Sequence, residues 1–405
     1  MTPSGWKPAT LGDDAILLSG QHILAEECSD LPGEFPYLTG PSDFQDGVIR
    51  PTKYVRSPKV MCEAGDLLVT IKGSGTGKLV PADRAYCISR QLAAVRPRSW
   101  WKPFVFHVLT SYQSRLQGDA TGLIPGLSRD DLLGLPILLP PLPEQRKIAG
   151  ILSSVDDAID RTQAVIDQLA VVKKAMMQEL LTKGLPGRHT RFKKTEIGMV
   201  PEEWGVVPLG AVCQRITDGS HQSVATSPSG DVPFLYVSCI RDGRILWDRA
   251  ARISGEQYST VARGREPAVG SVLYTAVGSY GHAAAVVDDK RFTFQRHIAY
   301  LVPESNQLDP SFLAGWLNSP SGRDHADRVA VGNAQKTVTL GKLKDFPLPL
   351  PPLEEQDRIA SVAQSLDNRM NAEAEGRDAL RTLKSALMSV LLTGEVRVTP
   401  DEDAA

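Results

Sequence analysis

The run Lys72-Gly73-Ser74-Gly75-Thr76-Gly77-Lys78 holds the residue types that phosphate recognition needs: open backbone amides, hydroxyls and ammonium groups. Nucleotide binding is excluded by spacing. The pattern GxxxxGK[ST] requires glycine where this chain has Lys72, and Ser or Thr where it has Leu79. Two readings remain. One is a plain glycine-rich turn after a strand. The other is a polar loop whose amides and side chains Lys72, Ser74, Thr76 and Lys78 approach a nucleic acid. A matching turn, Gly278-Ser279-Tyr280-Gly281-His282, comes later in the chain. The candidate contacts are therefore Lys72, Ser74, Thr76, Lys78 and Arg90, then Ser220, His221, Gln222, Tyr280, His282 and Arg296. For Arg90 and Arg296 a structural ion pair is the competing role.

The chain carries no enzyme signature. HExxH, GxSxG and a Rossmann GxGxxG in its proper context are all missing. So is the Asn-Pro-Pro-aromatic or Asp-Pro-Pro-aromatic tetrapeptide of amino-methyltransferases. The seven histidines do not cluster with carboxylates at ligand spacing. The five cysteines are widely spread, with no CxxC pair, so neither a zinc site nor a disulfide framework is expected. No cofactor is expected. A net charge of −2 argues against coating nucleic acid by bulk charge, yet leaves room for a reader with local basic patches. No apolar run approaches a membrane span, and Met1 to Trp6 lacks the form of a signal peptide. A reduced, cytoplasmic setting fits, for a recognition subunit working beside a catalytic partner.

The elements that must position these loops occur twice. Leu139-Pro140-Pro141-Leu142-Pro143-Glu144-Gln145 is repeated as Leu350-Pro351-Pro352-Leu353-Glu354-Glu355-Gln356. A constant offset of 211 then carries Ile148 onto Ile359, Asp156 onto Asp367, Leu169 onto Leu380 and Leu181 onto Leu392, with no gap. The paired prolines make a stiff lead-in. After them, Ile148, Leu152, Val155, Ile159, Thr162, Ile166, Leu169, Lys173, Met176 and Leu180 step alternately by four and three, the spacing of a heptad seam. The second seam runs Ile359, Ala363, Leu366, Met370, Glu373, Arg377, Leu380, Lys384, Leu387 and Leu391. Glu373 and Arg377 either sit in the seam and fix register or face solvent. Two such helices are most simply packed antiparallel, the alternative being one amphipathic helix lying on its own domain. A helix of about 40 residues spans ~60 Å, up to ~17 base pairs of duplex.

Each helix closes a globule of short strands. Phe35 to Leu38, Asp66 to Ile71 and Leu92 to Val95 read as strands, and Phe104 to Leu116 as a short helix. Trp6 to Leu11 returns as Trp204 to Leu209, and Gly65 to Thr70 as Gly270 to Thr275, but here the offset drifts from about 198 to about 206. Loop lengths therefore differ between globules while helix lengths do not. The expected layout is a globule over 1–138, a helix over 139–184, a linker over 185–198, a second globule over 199–349, a second helix over 350–395 and a disordered tail over 396–405. The fold class is α+β.

The doubled LPPLxEQ helix, with Trp-x4-Leu-Gly opening each globule, resembles the specificity subunit of type I restriction-modification systems. Ile197-Gly198-Met199-Val200-Pro201-Glu202-Glu203-Trp204 is similar to that family's second-domain entry. Asn333 to Leu343 and Ile124-Pro125-Gly126-Leu127-Ser128 are similar to its domain exits. The first globule keeps Pro3 to Trp6 but lacks the preceding Ile-Gly. The resemblance implies two target-recognition globules of mixed α/β structure joined by two long antiparallel coiled-coil helices, a pseudo-twofold repeat. It implies that each globule reads half of a bipartite target in double-stranded DNA. The helices would set the spacing and dock two methyltransferase (M) subunits, through which restriction (R) subunits join. S-adenosylmethionine and ATP would belong to those partners. A coiled-coil scaffold with no DNA role is the alternative.

Overall fold

The computed structural model describes residues 3–33, 35–45, 47–73, 75–119, 126–333 and 335–400, without the side chains of Gln45 and Asp119. Ser74, residues 124–125 of the first domain exit, and the tail from Asp401 on lie outside the described residues. The chain divides into two compact units, Met1–Gln163 with Ala374–Ala405, and Ala164–Glu373. The two repeated helices, α1 (Leu142–Lys183, 42 residues) and α2 (Leu353–Leu391, 39 residues), each contribute one segment to each unit.

In the first unit an antiparallel sheet runs in the order Leu79–Pro81, Leu67–Thr70, Leu92–Pro97, Ala15–Ser19. Leu67–Thr70 is buried at every position because both faces of the sheet are covered. Val69, Ala93 and Val95 pack with Phe104, Val105 and Leu109 on one face. Leu68, Leu92 and Ala94 pack with Leu38, Tyr86 and Ile88 on the other. This explains why the strand reads as an unbroken apolar run rather than an alternating one. A second sheet, in which Tyr86–Ile88 lies parallel to Phe35–Leu38, covers that face.

The second unit repeats this order with Ala283–Ala285, Val272–Thr275, Ile298–Pro303 and Cys213–Asp218. Val272, Tyr274 and Leu301 meet Phe312, Leu313 and Trp316. Leu273, Ile298 and Tyr300 meet Phe292 and Phe294 on the other face.

The repeated motif ties each globule to its helix through buried polar groups. Trp6 Nε1–H donates to Glu144 Oε2 (3.0 Å), and Trp204 Nε1–H to Glu355 Oε2 (3.2 Å). Gln145 accepts from the Trp101 amide and donates to Pro140 O, and Gln356 does the same with Asp309 and Pro351. The cation on each carboxylate differs. Arg397 pairs with Glu144 through two nitrogens. His189 lies between Glu355 (2.9 Å) and Glu203 (2.7 Å), its side chain 5% exposed. Burial opposes charge on His189, but the bonds to the two carboxylates outweigh it and hold its pKa above the ordinary imidazole value. Burial likewise works to raise the Glu355 pKa, and its bonds from His189, Leu185 and Trp204 prevail and lower it.

Within each unit the helix segments run antiparallel. In the first, Asp156 meets Lys384 (2.6 Å) and, two turns on along α1 and two turns back along α2, Gln163 accepts from Arg377 (2.8 Å). In the second, Lys173 donates to Asp367 (2.6 Å). The polar seam residues are thus half-buried, and Arg377 takes the seam role rather than facing solvent.

Four expectations need correction. Met176 is exposed and Met177 takes its place, because the second globule's core, with Gly315 beside Met177 Cε, covers that face of the helix. The span Phe104 to Leu116 is two helices, Lys102–Ser111 and Gln113–Asp119, parted at Tyr112. The span read as linker holds a strand, Phe192–Thr195, paired with Gly198–Pro201. The tail expected to be disordered from residue 396 is tied down at its start. Val396 N–H donates to Val390 O, Arg397 binds Glu144, and Val398 packs on the core.

Candidate nucleic-acid interface

In each unit four loops meet at one end of the central sheet, joined by the same backbone bonds. In the first unit Ile71 N–H donates to Gln91 O, Leu127 N–H to Ile71 O, Gly77 N–H to Thr70 O, and Gln21 N–H to Ile88 O. In the second the matching bonds are Ala276 to His297, Val338 to Ala276, Gly281 to Thr275, and Ser220 to Phe294. Two glycines make this close approach possible. A side chain at Gly20 would run into the carbonyl oxygens of Ile88 and Ser89, and one at Gly219 into those of Phe294 and Gln295. Gly77 and Gly281 turn the chain at φ +85° and +88°, a region that favours glycine.

The candidates divide into exposed groups and groups that hold the loops. Lys72, Lys78 and Arg90 are exposed, and Lys72 bridges to Gly126. Thr76 is buried and its hydroxyl donates to Gly73 O (2.6 Å), closing the turn. In the second unit His221, Gln222 and Arg296 are exposed. Ser220 is buried, with its Oγ accepting from the Gln222 amide (3.2 Å). Arg90 and Arg296 make no ion pair among the described residues, so the structural alternative for them is not realised.

Tyr280 and His282 are engaged within the protein. Tyr280 Oη donates to Asp327 (2.6 Å), which raises its pKa. His282 Nδ1 accepts from Arg323 (2.9 Å), and burial with the nearby Arg323 and Arg241 charges pushes its pKa down to about 4. It is a neutral acceptor that aims Arg323. His221 Nε2 lies 2.7 Å from Asp218. His297 stands beside Arg296, and burial followed by that charge lowers its pKa.

Sequence reasoning missed several neighbours. Gln21 and His22 occupy the positions of Ser220 and His221 on the shared framework and are exposed. Their signal was present, since Gly20-Gln21-His22 matches Gly219-Ser220-His221 once the drifting offset is followed. Arg241 and Arg323 were not legible. Arg241 reaches Ser279 Oγ (2.8 Å) from a separate hairpin, and Arg323 arrives on the helix Pro320–Val329. Chemically, each loop set offers exposed cations and hydrogen-bonding side chains on a rigid backbone frame, which suits phosphate and base-edge contacts. Among the described residues no group of His, Cys, Asp and Glu is placed to hold a metal.

Comparison with known proteins agrees over nearly the whole chain. A family model described as type I restriction modification DNA specificity domain matches residues 3–170 and 201–380. The MjaVIII specificity subunit of Methanocaldococcus jannaschii is 26% identical over 403 residues, covering 98% of this chain and 94% of that protein. The EcoBI specificity subunit of Escherichia coli is 28% identical over 306 residues, covering 72% and 64%. The solved S subunit from M. genitalium aligns with TM-score 0.58 and 14% identity over 97% of each chain. A chain from a study of complex assembly and conformational transition in the type I R-M system aligns with TM-score 0.58 and 20% identity, covering 98% of this chain and 100% of that one.

Proposed function

This chain belongs to the type I restriction-modification DNA specificity family, and we propose that each of its globules reads one half of a two-part DNA target. It is a specificity subunit, a non-catalytic component of such a system. One observation carries the half-site reading. The same backbone ladder holds the loops in both units, and Arg90 and His22 recur on it as Arg296 and His221, yet Lys72, Lys78 and Gln21 in the first unit give way to Val277, His282 and Ser220 in the second. A shared frame with different contact groups is what two readers of different half-sites require.

In this reading the globules are residues 1–138 and 199–349, and α1 and α2 set the gap between half-sites. The helices dock two methyltransferase subunits, and restriction subunits join through them. Methyl transfer and cleavage, with S-adenosylmethionine and ATP, belong to those partners, and the complex works in the cytoplasm. No helix among the described residues is long and apolar enough to cross a membrane. The test is to map methylated adenines genome-wide in the host, with and without this chain. A two-part motif with a fixed gap that vanishes with the chain is expected. A contiguous motif, or methylation by the partner alone, overturns the reading.

A further inference from the structure

The second unit contains a hairpin that touches both its reading turn and its helix. Ile240–Arg241 pairs with Arg244–Ile245 across the turn Asp242-Gly243. Both turn residues have positive φ, +48° and +84°, the tight turn that suits strand twist. On one side Arg241 Nη2 donates to Ser279 Oγ (2.8 Å), in the turn that carries Tyr280 and His282. On the other side Arg244 forks onto α2. Its Nη1 donates to Asn371 Oδ1 (2.7 Å) and its Nη2 to Asp367 Oδ1 (3.0 Å). Asp367 also accepts from Lys173 of α1 through its other oxygen.

A planar guanidinium bound to two side chains one helical turn apart fixes the hairpin both along and around the helix. The matching hairpin of the first unit, Phe44–Gln45 with Val48–Ile49, carries Val48 where the second carries Arg244. Val48 is exposed and has no charge to offer a helix.

We propose that Arg244 is a positioning residue for target specificity, holding the second globule's reading turn at a set angle to the helix pair and so narrowing the gap between half-sites that the complex accepts. This rests on the half-site reading above. One base pair of gap rotates a half-site by about 34° and moves it ~3.4 Å. A latch that resists that displacement discriminates by gap without touching a base. The link is solvent-accessible, so its effect is modest, on the order of two- to fivefold.

The experiment uses the complex of the full chain with its methyltransferase subunit. The probes are duplexes bearing the mapped target with its natural gap or with one base pair more or fewer. Arg244→Ala and Asn371→Ala should each raise the relative methylation rate on the altered gaps about two- to fivefold while leaving the half-site sequence preference unchanged, and Arg244→Lys should restore part of the selectivity. The double variant should be no looser than Arg244→Ala alone. If wild type accepts one gap and Arg244→Ala keeps the same gap profile, the latch is refuted while the half-site reading stands. If wild type shows no two-part target, both fall.

Discussion

The two buried glutamates of the repeated motif carry different cations, and pH should separate them. Removing His189 with His189→Ala strips Glu355 of its nearest charged partner. The carboxylate, 0% exposed, keeps the Leu185 amide, the Trp204 indole and, at 3.5 Å, Arg188. Hydrogen bonds to buried charges contribute about 1.5–3 kcal/mol, and breaking a buried pair outright costs about 3–5. With those partners remaining, the expected loss is about 2–3 kcal/mol, or about 4–12 °C in Tm for a unit of this size. His189 is raised in the folded state. Its contribution is therefore complete below the unfolded value near 6.5 and declines as pH rises through the folded value. Neutral imidazole has one N–H, so at high pH His189 can donate to only one of Glu355 and Glu203. The difference in Tm between wild type and His189→Ala, measured by scanning calorimetry near pH 6 and pH 8.5, should shrink at the higher pH. Taking the difference cancels the buried cysteines and the depressed histidines His107, His282, His297 and His325. Arg397→Ala, acting on Glu144, should destabilise equally at both pH values because guanidinium does not titrate there. A penalty for His189→Ala that is the same at both pH values refutes the charged bridge.

Three further outcomes are expected. Asp156→Lys and Lys384→Asp should each destabilise by about 1–2 kcal/mol in urea unfolding through like-charge contact, and the double exchange should recover most of it. Met177→Ala should cost about 2–3 kcal/mol and Met176→Ala less than about 0.5, as their packing differs; equal effects in the same assay would restore the strict heptad. Arg90→Ala and Arg296→Ala should each weaken one half-site only, in binding titrations on duplexes with single half-site changes. A uniform loss with a salt slope shallower by about one would make that arginine a phosphate contact instead.

Much of this architecture was legible because it rests on apolar periodicity. The apolar positions of the α2 seam are legible since a helix face repeats in sequence, while Glu373 and Arg377 stay open between seam and solvent until the structure shows them half-buried. The Met176 to Met177 exchange is not legible because it is set by the second globule's core, which a heptad template does not include. The strands at Phe35, Leu67 and Leu92 were visible as apolar runs bounded by glycine and proline. The loops were only half legible. Exposed cations such as Lys72, Arg90 and Arg296 were identified by type, yet Thr76, Ser220, Tyr280 and His282 look the same in sequence and prove to hold the turns together. Whether a polar side chain faces solvent or a neighbour depends on groups far off in the chain, as Arg323 is from His282.

The same chemistry accounts for the contrast between gap-free helices and drifting loops. Leu180 and Leu181 are buried against the second globule while Lys173, seven residues earlier on the same helix, must meet Asp367. One inserted residue between them would swing Lys173 by about 100°, exposing the seam and stranding Asp367 without its ammonium. Helix length is thus fixed by side chains that have to arrive at set angles. The loops hang instead from backbone donors and acceptors, such as Ile71 to Gln91 and Ala276 to His297, which any residue but proline supplies. The turn from Thr70 to Lys78 is accordingly one residue longer than that from Thr275 to His282, yet it closes with the same two bonds: Thr70 N–H to Lys78 O and Gly77 N–H to Thr70 O in one, Thr275 N–H to His282 O and Gly281 N–H to Thr275 O in the other. Loop length and exposed residues can change there without disturbing the frame, which is the freedom a family of sequence readers needs.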